Sequence, residues 1–236
     1  MDLPQVANPY LEPALLDDPD FINQADNMRP AIENFLRRHD LVDVIRRMLV
    51  DSAMIRSIAD ASYAHVNGFE KLVVMRGVAE SNQVRLNVWL PGRARINEDI
   101  HNHVKGFSSV VLCGRLRLRH FEIVNEGSPI GSYLARPPSQ NDGDLLEKQA
   151  TVSVEERFSA DLPAGAYYSI DHRQLHTVRA AADELTATLV FMTSNRQQGP
   201  HVLRQGPDRQ TIPRTCFSEV DVRDRLEMVF SSLAGS

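Results

Sequence analysis

Short runs rich in β-branched and aromatic residues, repeated between residues 71 and 193 and separated by turn residues, constrain this chain most. The clearest run, Val84–Leu90, alternates with a period of two and stops at the turn pair Pro91-Gly92. Such alternation is typical of a strand whose two faces meet different surroundings. Further strands are predicted at 71–75, 107–113, 116–120, 151–158, 166–170, 176–180 and 186–193. Many short strands at this spacing predict an all-β barrel or sandwich.

Helices are predicted both before and after the strands. Apolar residues between Pro30 and Val50 recur with helical spacing, and Asp51 or Ser52 can cap a second helix that continues to Ala59. Residues 220–233 show the same helical spacing. Residues 1–28 are rich in Pro, Asp and Asn and predict an irregular arm. Residues 125–143 are rich in Gly and Pro and predict a long loop or a hairpin excursion.

Length and composition indicate one structural domain in three parts. The 236 residues divide into an N-terminal arm with helices packed on the barrel (1–70), the barrel itself (71–200) and a C-terminal segment with a helix (201–236). A net charge of −5 gives no indication of a nucleic-acid partner. The two cysteines form no disulfide framework, and we recognise neither a signal peptide nor a membrane span, so we expect a cytoplasmic protein without membrane association.

Three histidines carry the strongest chemical signal. His101 and His103 are two residues apart, and two side chains at that spacing on a strand share one face. His176, on a later predicted strand, can add a third imidazole. Imidazole nitrogens suit iron, zinc, copper and nickel, and a three-ligand face leaves positions open for substrate or dioxygen. The alternative is that these histidines are surface residues of polar turns.

The order of these residues resembles the two motifs of the cupin superfamily. The first motif has two histidines one residue apart, an acidic residue and a glycine, which His101, His103 and Gly114 match. The acidic position falls near residues 107 and 108, where the chain has Phe and Ser. The second motif, Pro-x-Gly followed by a histidine, is matched by Pro163, Gly165 and His176.

A histidine set without the acidic ligand resembles the cysteine dioxygenase branch, the non-haem iron thiol dioxygenases. The resemblance covers about residues 30–195 and implies a mainly β, cupin-type barrel of the double-stranded β-helix or jelly-roll kind. It also implies Fe(II) as the cofactor, held by the three histidines. Arg76 stands 25 residues before His101, at the spacing of the branch's arginine that holds the substrate carboxylate.

The chain departs from this branch in the Ser-x-His-x-Tyr element of a late strand. Residues 186–193 contain neither histidine nor tyrosine, and Ser108 stands where some members have a cysteine that cross-links to that tyrosine. Tyr168, near the second motif, is therefore the candidate catalytic phenol. The alternatives are a core role for Tyr168 and a solvent-facing position for Arg76.

Together these features predict a mononuclear non-haem Fe(II)-dependent dioxygenase, a cysteine-dioxygenase-like oxidoreductase. Three neutral imidazoles leave the full charge on Fe(II), which favours an anionic chelating substrate, so a small thiol or an amino-acid-like carboxylate is expected beside dioxygen. Two alternatives stay open. One is a metal-dependent cupin of other chemistry: a dioxygenase cleaving carbon–carbon bonds, an isomerase or a lyase. The other is a non-enzymatic cupin that binds a small molecule. The sequence leaves the oligomeric state unspecified.

Overall fold

The computed structural model describes residues 9–10, 29–76, 83–93, 98–136, 144–192, 199–212 and 214–235. It confirms the predicted class, a mainly β protein of two antiparallel sheets with N-terminal helices and a C-terminal helix. The predicted arm at 1–28 falls outside these ranges except for Pro9 and Tyr10. Within them, every helix is too short or too polar to cross a membrane.

The described helices are α1 (Arg29–Arg38), α2 (Leu41–Val50), α3 (Ser52–Ala61) and α4 (Glu219–Ala234). The helical pattern predicted from Pro30 to Val50 is thus split in two. Asp40 causes the break, because its carboxylate accepts hydrogen bonds from the first backbone N–H groups of α2. Asp51 caps α3 as predicted, accepting from the backbone N–H of Met54. Ser218 and Asp221 form a capping box at the start of α4.

The described strands form two sheets. They are β1 (Tyr63–Ala64), β2 (Glu70–Arg76), β3 (Gln83–Trp89), β4 (Ile100–His101), β5 (Phe107–Cys113), β6 (Arg115–Arg136), β7 (Asp144–Pro163), β8 (Tyr167–Ile170), β9 (Leu175–Ala180), β10 (Thr186–Met192), β11 (His201–Arg204), β12 (Arg209–Ile212) and β13 (Thr215–Cys216). The seven-stranded sheet has the order β13-β1-β2-β3-β10-β5-β8, and the six-stranded sheet has the order β11-β4-β9-β6-β7-β12.

The Gly- and Pro-rich region at 125–143 adopts the hairpin alternative over its described part. β6 and β7 pair along almost their whole length, with a register shift between Val124 and Pro129. Strand pairing resumes at Pro129 and continues to Arg136, while residues 137–143 lie outside the described ranges. Proline is tolerated where a bulge interrupts the ladder, so the composition that predicts a loop here accompanies a bulged strand.

Both faces of the seven-stranded sheet are covered. Its outer face packs against the helices in one apolar cluster, to which the strands contribute residues such as Leu86, Val88, Leu189 and Phe191. Its inner face packs against the six-stranded sheet through a second cluster, to which Trp89, Phe107, Leu118 and Val178 belong. Because a sheet covered on two sides buries both sets of alternating side chains, polar residues on the inner face lie in the interior between the sheets.

The C-terminal segment contributes to both the helical layer and the sheets. α4 buries Val222, Leu226 and Val229 completely, in the cluster outside the seven-stranded sheet. β13 pairs with β1 in that sheet, while β11 and β12 pair with strands of the six-stranded sheet. The boundaries placed at residues 70 and 200 stay a prediction.

Candidate metal centre

The six-stranded sheet brings the three predicted histidines together. His101 on β4 lies directly opposite His176 on β9 in the antiparallel register. β4 ends at His101, so His103 is not on the strand, contrary to the prediction that both histidines share one. The backbone N–H of His103 instead donates to the carbonyl of His172, 3.4 Å away. The three imidazoles still converge, with ring centroids 4.7–4.9 Å apart.

The three ligand nitrogens have a spacing that suits one metal ion. They all lie within 4.8 Å of one another, and His103 Nε2 is 3.2 Å from His176 Nε2. At metal–nitrogen distances of about 2.1 Å, two ligands at right angles stand about 3 Å apart. The chemistry of the donor set therefore fits a divalent transition metal, and His103 and His176 already have the spacing of two ligands of one ion.

Backbone carbonyls fix which nitrogen of each imidazole points inward. His101 Nδ1 lies 2.9 Å from the carbonyl of Asp99, and His176 Nδ1 lies 3.0 Å from the carbonyl of Gln174. A carbonyl can only accept, so both Nδ1 atoms carry the proton and donate it. Both Nε2 atoms are then left with a lone pair, the state that a metal ligand requires.

Burial keeps the imidazoles uncharged at neutral pH. It lowers the pKa of His101 to about 4, with Lys71 and Arg85 adding to the effect. It also holds the pKa of His103 and of His176 well below the ordinary value, helped by the neighbouring imidazoles. A metal ion would therefore meet no competition from protons at these nitrogens at neutral pH.

Glu98 is a buried carboxyl beside the first histidine, and no motif in the sequence marks it. Its Oε1 lies 3.7 Å from His101 Nδ1, while its other oxygen accepts from the backbone N–H of Val178 on β9. The side-chain amide of Asn67 donates a hydrogen bond to Glu98 Oε1, 3.4 Å away. Burial raises the pKa of this carboxyl well above its usual range. Glu98 thus ties the segment before β4 to β9, and so fixes the separation of His101 and His176.

Phe107, one of the two residues near the expected acidic position of the first motif, forms part of the wall of the site. Its ring centroid lies 5.0 Å from that of His103 and 6.2 Å from that of His176. Tyr168 contacts Phe107 edge-on at 6.0 Å, and burial raises the pKa of its phenol to about 12. Tyr168 therefore lies in the same interior, next to Phe107, as a protonated phenol.

Ser108 does not belong to this site. It points to the opposite face of β5 from Phe107, and its hydroxyl lies 2.6 Å from that of Ser169. Ser108 therefore faces the helical layer, away from the histidines.

Strand register places the inner side chains of the seven-stranded sheet in transverse rows. A register shift between Val73 and Met75 returns Arg76 to the inner face, opposite Gln83. The row that contains it runs across the sheet through Arg76, Gln83, Met192, Phe107 and Ile170. Arg76 thus occupies the row of Phe107, which contacts two of the histidines. Its role as a carboxylate anchor stays a prediction.

Two further cations on the inner face were not identified as site residues from the sequence. The second row runs through Val73, Arg85, Val190, Ser109 and Tyr168, and the third through Lys71, Asn87 and Thr188. Arg85 and Asn87 occupy the alternate positions of β3, which a one-sided sheet would turn to solvent. The amphipathic N-terminal helices were the available signal, because they need a sheet face to cover and Leu86 and Val88 supply it.

Comparisons with known proteins find only distant structural similarities. No protein-family model and no curated protein matches the chain. Among solved structures, hydroxypropylphosphonic acid epoxidase from S. wedmorenis is 15% identical with a TM-score of 0.35, covering 56% of this chain and 53% of that one. The chain thus matches about half the length of that enzyme. The Drosophila melanogaster CENP-C cupin domain is 10% identical with a TM-score of 0.34, covering 57% of this chain and 72% of that one.

Proposed function

We propose that this protein is a mononuclear non-haem Fe(II)-dependent dioxygenase that acts on a small chelating anion, a thiol or an amino-acid-like carboxylate. The observation that carries the proposal is the convergence of His101, His103 and His176 within 4.8 Å, two of them buried and one half-buried, and all uncharged at neutral pH. Three ligands on one face hold a metal while leaving room for two further partners.

Iron bound there would supply the site for dioxygen and the redox chemistry, and the protein would supply the surroundings. The carbonyls of Asp99 and Gln174 orient two of the imidazoles. Phe107 lies against the rings of His103 and His176 and excludes water from that side of the site. The Tyr168 phenol, held protonated by burial, can donate a hydrogen bond toward the interior. Arg76, on the inner row of Phe107, can hold a carboxylate with its guanidinium fork.

The test is metal content and oxygen uptake on the same sample. The protein is purified without oxygen, analysed for metals, reconstituted with Fe(II), and assayed for oxygen consumption with a panel of thiols and amino-acid-like carboxylates. We expect about one iron per chain and uptake that depends on one class of compound. The variant His176→Gln should lose both iron and uptake, while the exposed His201→Gln should keep both.

The same experiment separates the competing functions. Zinc or nickel in the purified protein, with no oxygen uptake after Fe(II) loading, would replace the dioxygenase proposal with a metal-dependent cupin of other chemistry, such as an isomerase or a lyase. Failure to bind any divalent metal would overturn the metal centre itself, leaving a non-enzymatic binding protein.

A further inference from the structure

Positive charge is buried between the two sheets, on the rows that face the histidines. Arg85 on β3 is only 5% exposed and Lys71 on β2 only 9% exposed. The interior between two packed sheets is normally filled by apolar side chains, as Val190 fills it next to Arg85. Two buried cations in this position therefore require a physical explanation.

Neither cation is neutralised within the described part of the chain. No ion pair there joins a carboxylate to Arg85 or Lys71, and Arg85 Nε is buried without a hydrogen-bond partner. Lys71 Nζ donates to the hydroxyl of Tyr63, 2.8 Å away, which is a neutral partner. Burial lowers the pKa of Arg85 to about 10, so the guanidinium remains charged at neutral pH.

These cations lie on inner rows of the seven-stranded sheet near the histidines. The row of Arg85 is next to the row of Phe107, whose ring lies against those of His103 and His176, and the row of Lys71 follows on the other side of Arg85. Arg85 also shares its transverse row with Tyr168, beside Phe107. A molecule bound at the histidines would therefore extend toward the guanidinium.

Uncompensated buried charge destabilises a fold, whereas a charge that receives a ligand anion is compensated on binding. A divalent metal on three neutral ligands would add two more positive charges to the same interior. Asn87, in the row beside Arg85, also has a buried Oδ1 without a hydrogen-bond partner among the described residues, and that atom can accept from a hydroxyl or an amine.

We infer that Arg85 and Lys71 form an anion subsite next to the three histidines, and that the substrate is a small dicarboxylate with one carboxylate held by these two cations. The other carboxylate faces the histidines. This inference rests on the proposed function for the identity of the site and narrows its substrate to dianions. Arg76 and Lys105 extend the same positive interior, since both Arg85 and Arg76 lower the pKa of Lys105.

The test is calorimetric titration of the protein loaded with zinc, and the Arg85→Gln variant loaded in the same way shows what the metal alone binds. Malonate and succinate are compared with acetate and with inorganic phosphate. We expect a dicarboxylate to bind at least tenfold more tightly than acetate or phosphate. Arg85→Gln should weaken that binding at least tenfold, and Arg85→Lys less, because lysine keeps the charge but not the fork.

Two further variants make the result specific. Arg117→Gln removes an exposed strand arginine from β6 and should bind the dicarboxylate like the parent. His176→Gln should lose zinc and the preference for a dicarboxylate over acetate, whereas Arg85→Gln should keep zinc and lose that preference, so a failed metal centre and a failed anion subsite are distinguishable. Arg85→Gln should also unfold at no lower temperature than the parent without ligand, because it removes an unpaired buried charge.

Three results would overturn the inference. Acetate could bind as tightly as the best dicarboxylate, phosphate could bind more tightly than either, or Arg85→Gln could bind a dicarboxylate unchanged while remaining folded.

Discussion

His101 shows how burial prepares a side chain for metal binding and makes the protein sensitive to acid. Its Nδ1 donates its proton to the carbonyl of Asp99, and its Nε2 lies near the imidazoles of His103 and His176. Such a group cannot accept a proton without placing a charge in a desolvated interior. The unfolded chain has no such restriction, so the two states bind different numbers of protons in mild acid.

We therefore expect the metal-free protein to lose stability as the pH falls below about 6.5. The folded pKa of His101 is about 4, below the ordinary 6.5, so between these values only the unfolded state takes up the proton. Stability is fully present above pH 6.5 and falls as the pH approaches 4, by about 3 kcal/mol for this residue. Denaturant unfolding over a pH series measures this loss of stability. The free energy of unfolding of His101→Gln should depend less steeply on pH than that of the parent. Parallel curves for parent and variant would contradict the assignment.

Arg85 marks the limit of sequence prediction at the scale of single residues. The three histidines were predictable, because their spacing and the turn before His176 are local features of the chain. The buried position of Arg85 was not predictable. An arginine at every second position of a strand gives the same sequence pattern whether its face of the sheet is exposed to water or packed against a second sheet. Only the packing of two sheets and the helical layer turns the alternate positions of β3 inward.

Helix capping shows which element boundaries are predictable from the sequence and which are not. Asp51 was recognised as a helix start because it interrupts an apolar pattern, whereas Asp40 was not, although both carboxylates accept backbone hydrogen bonds at a helix N-terminus. The apolar positions on either side of Asp40 continue almost in phase, so periodicity alone joins α1 and α2. The short strands β1, β4 and β13, each of two residues, have no sequence pattern long enough to predict.

The turn between β5 and β6 depends on Gly114, the glycine of the first cupin-like motif. Its φ is +73°, and a Cβ there would collide with Leu185 and Thr186 at the start of β10. Gly165, between β7 and β8, has a similar φ of +83° but open space around it. A substitution at Gly165 therefore introduces backbone strain alone, whereas a substitution at Gly114 introduces both backbone strain and a steric collision.

We expect Gly114→Ala to reduce the free energy of unfolding by more than Gly165→Ala does. Both variants place an L-residue in the left-handed region, which costs about 1–2 kcal/mol. Only Gly114→Ala adds a collision with packed backbone, which costs a further 1–3 kcal/mol or so. Chemical denaturation of the two variants measures the difference. Equal losses would show that the β10 backbone moves aside without cost.

At the scale of the whole molecule, the helices and the seven-stranded sheet share one apolar cluster. α4 contributes side chains such as Leu226 to the cluster that contains Leu86 and Phe191 of the sheet. The guanidinium of Arg225 on α4 also donates two hydrogen bonds to the carboxylate of Glu70 on β2. A shared core couples the elements that form it, so partial unfolding of the C-terminal helix would expose the outer face of the sheet.

We expect one cooperative thermal transition, with calorimetric and van't Hoff enthalpies equal. Leu226→Ala should move that whole transition to lower temperature, because it removes a fully buried side chain at a cost of about 2–5 kcal/mol. The matched control is Val220→Ala on the same helix, which is 67% exposed and should change stability by no more than about 0.5 kcal/mol. A second, separate transition in the variant would show that α4 is an independent unit.

Trp89, the chain's single tryptophan, gives the interior an optical property of its own. It is buried in the same cluster as Phe107, whose ring contacts His103 and His176. Ions with a partly filled d shell, such as Fe(II), Co(II) and Cu(II), quench the emission of a nearby indole, whereas zinc has a filled shell and does not. The fluorescence of this one side chain should therefore distinguish zinc from the open-shell ions that occupy the histidines.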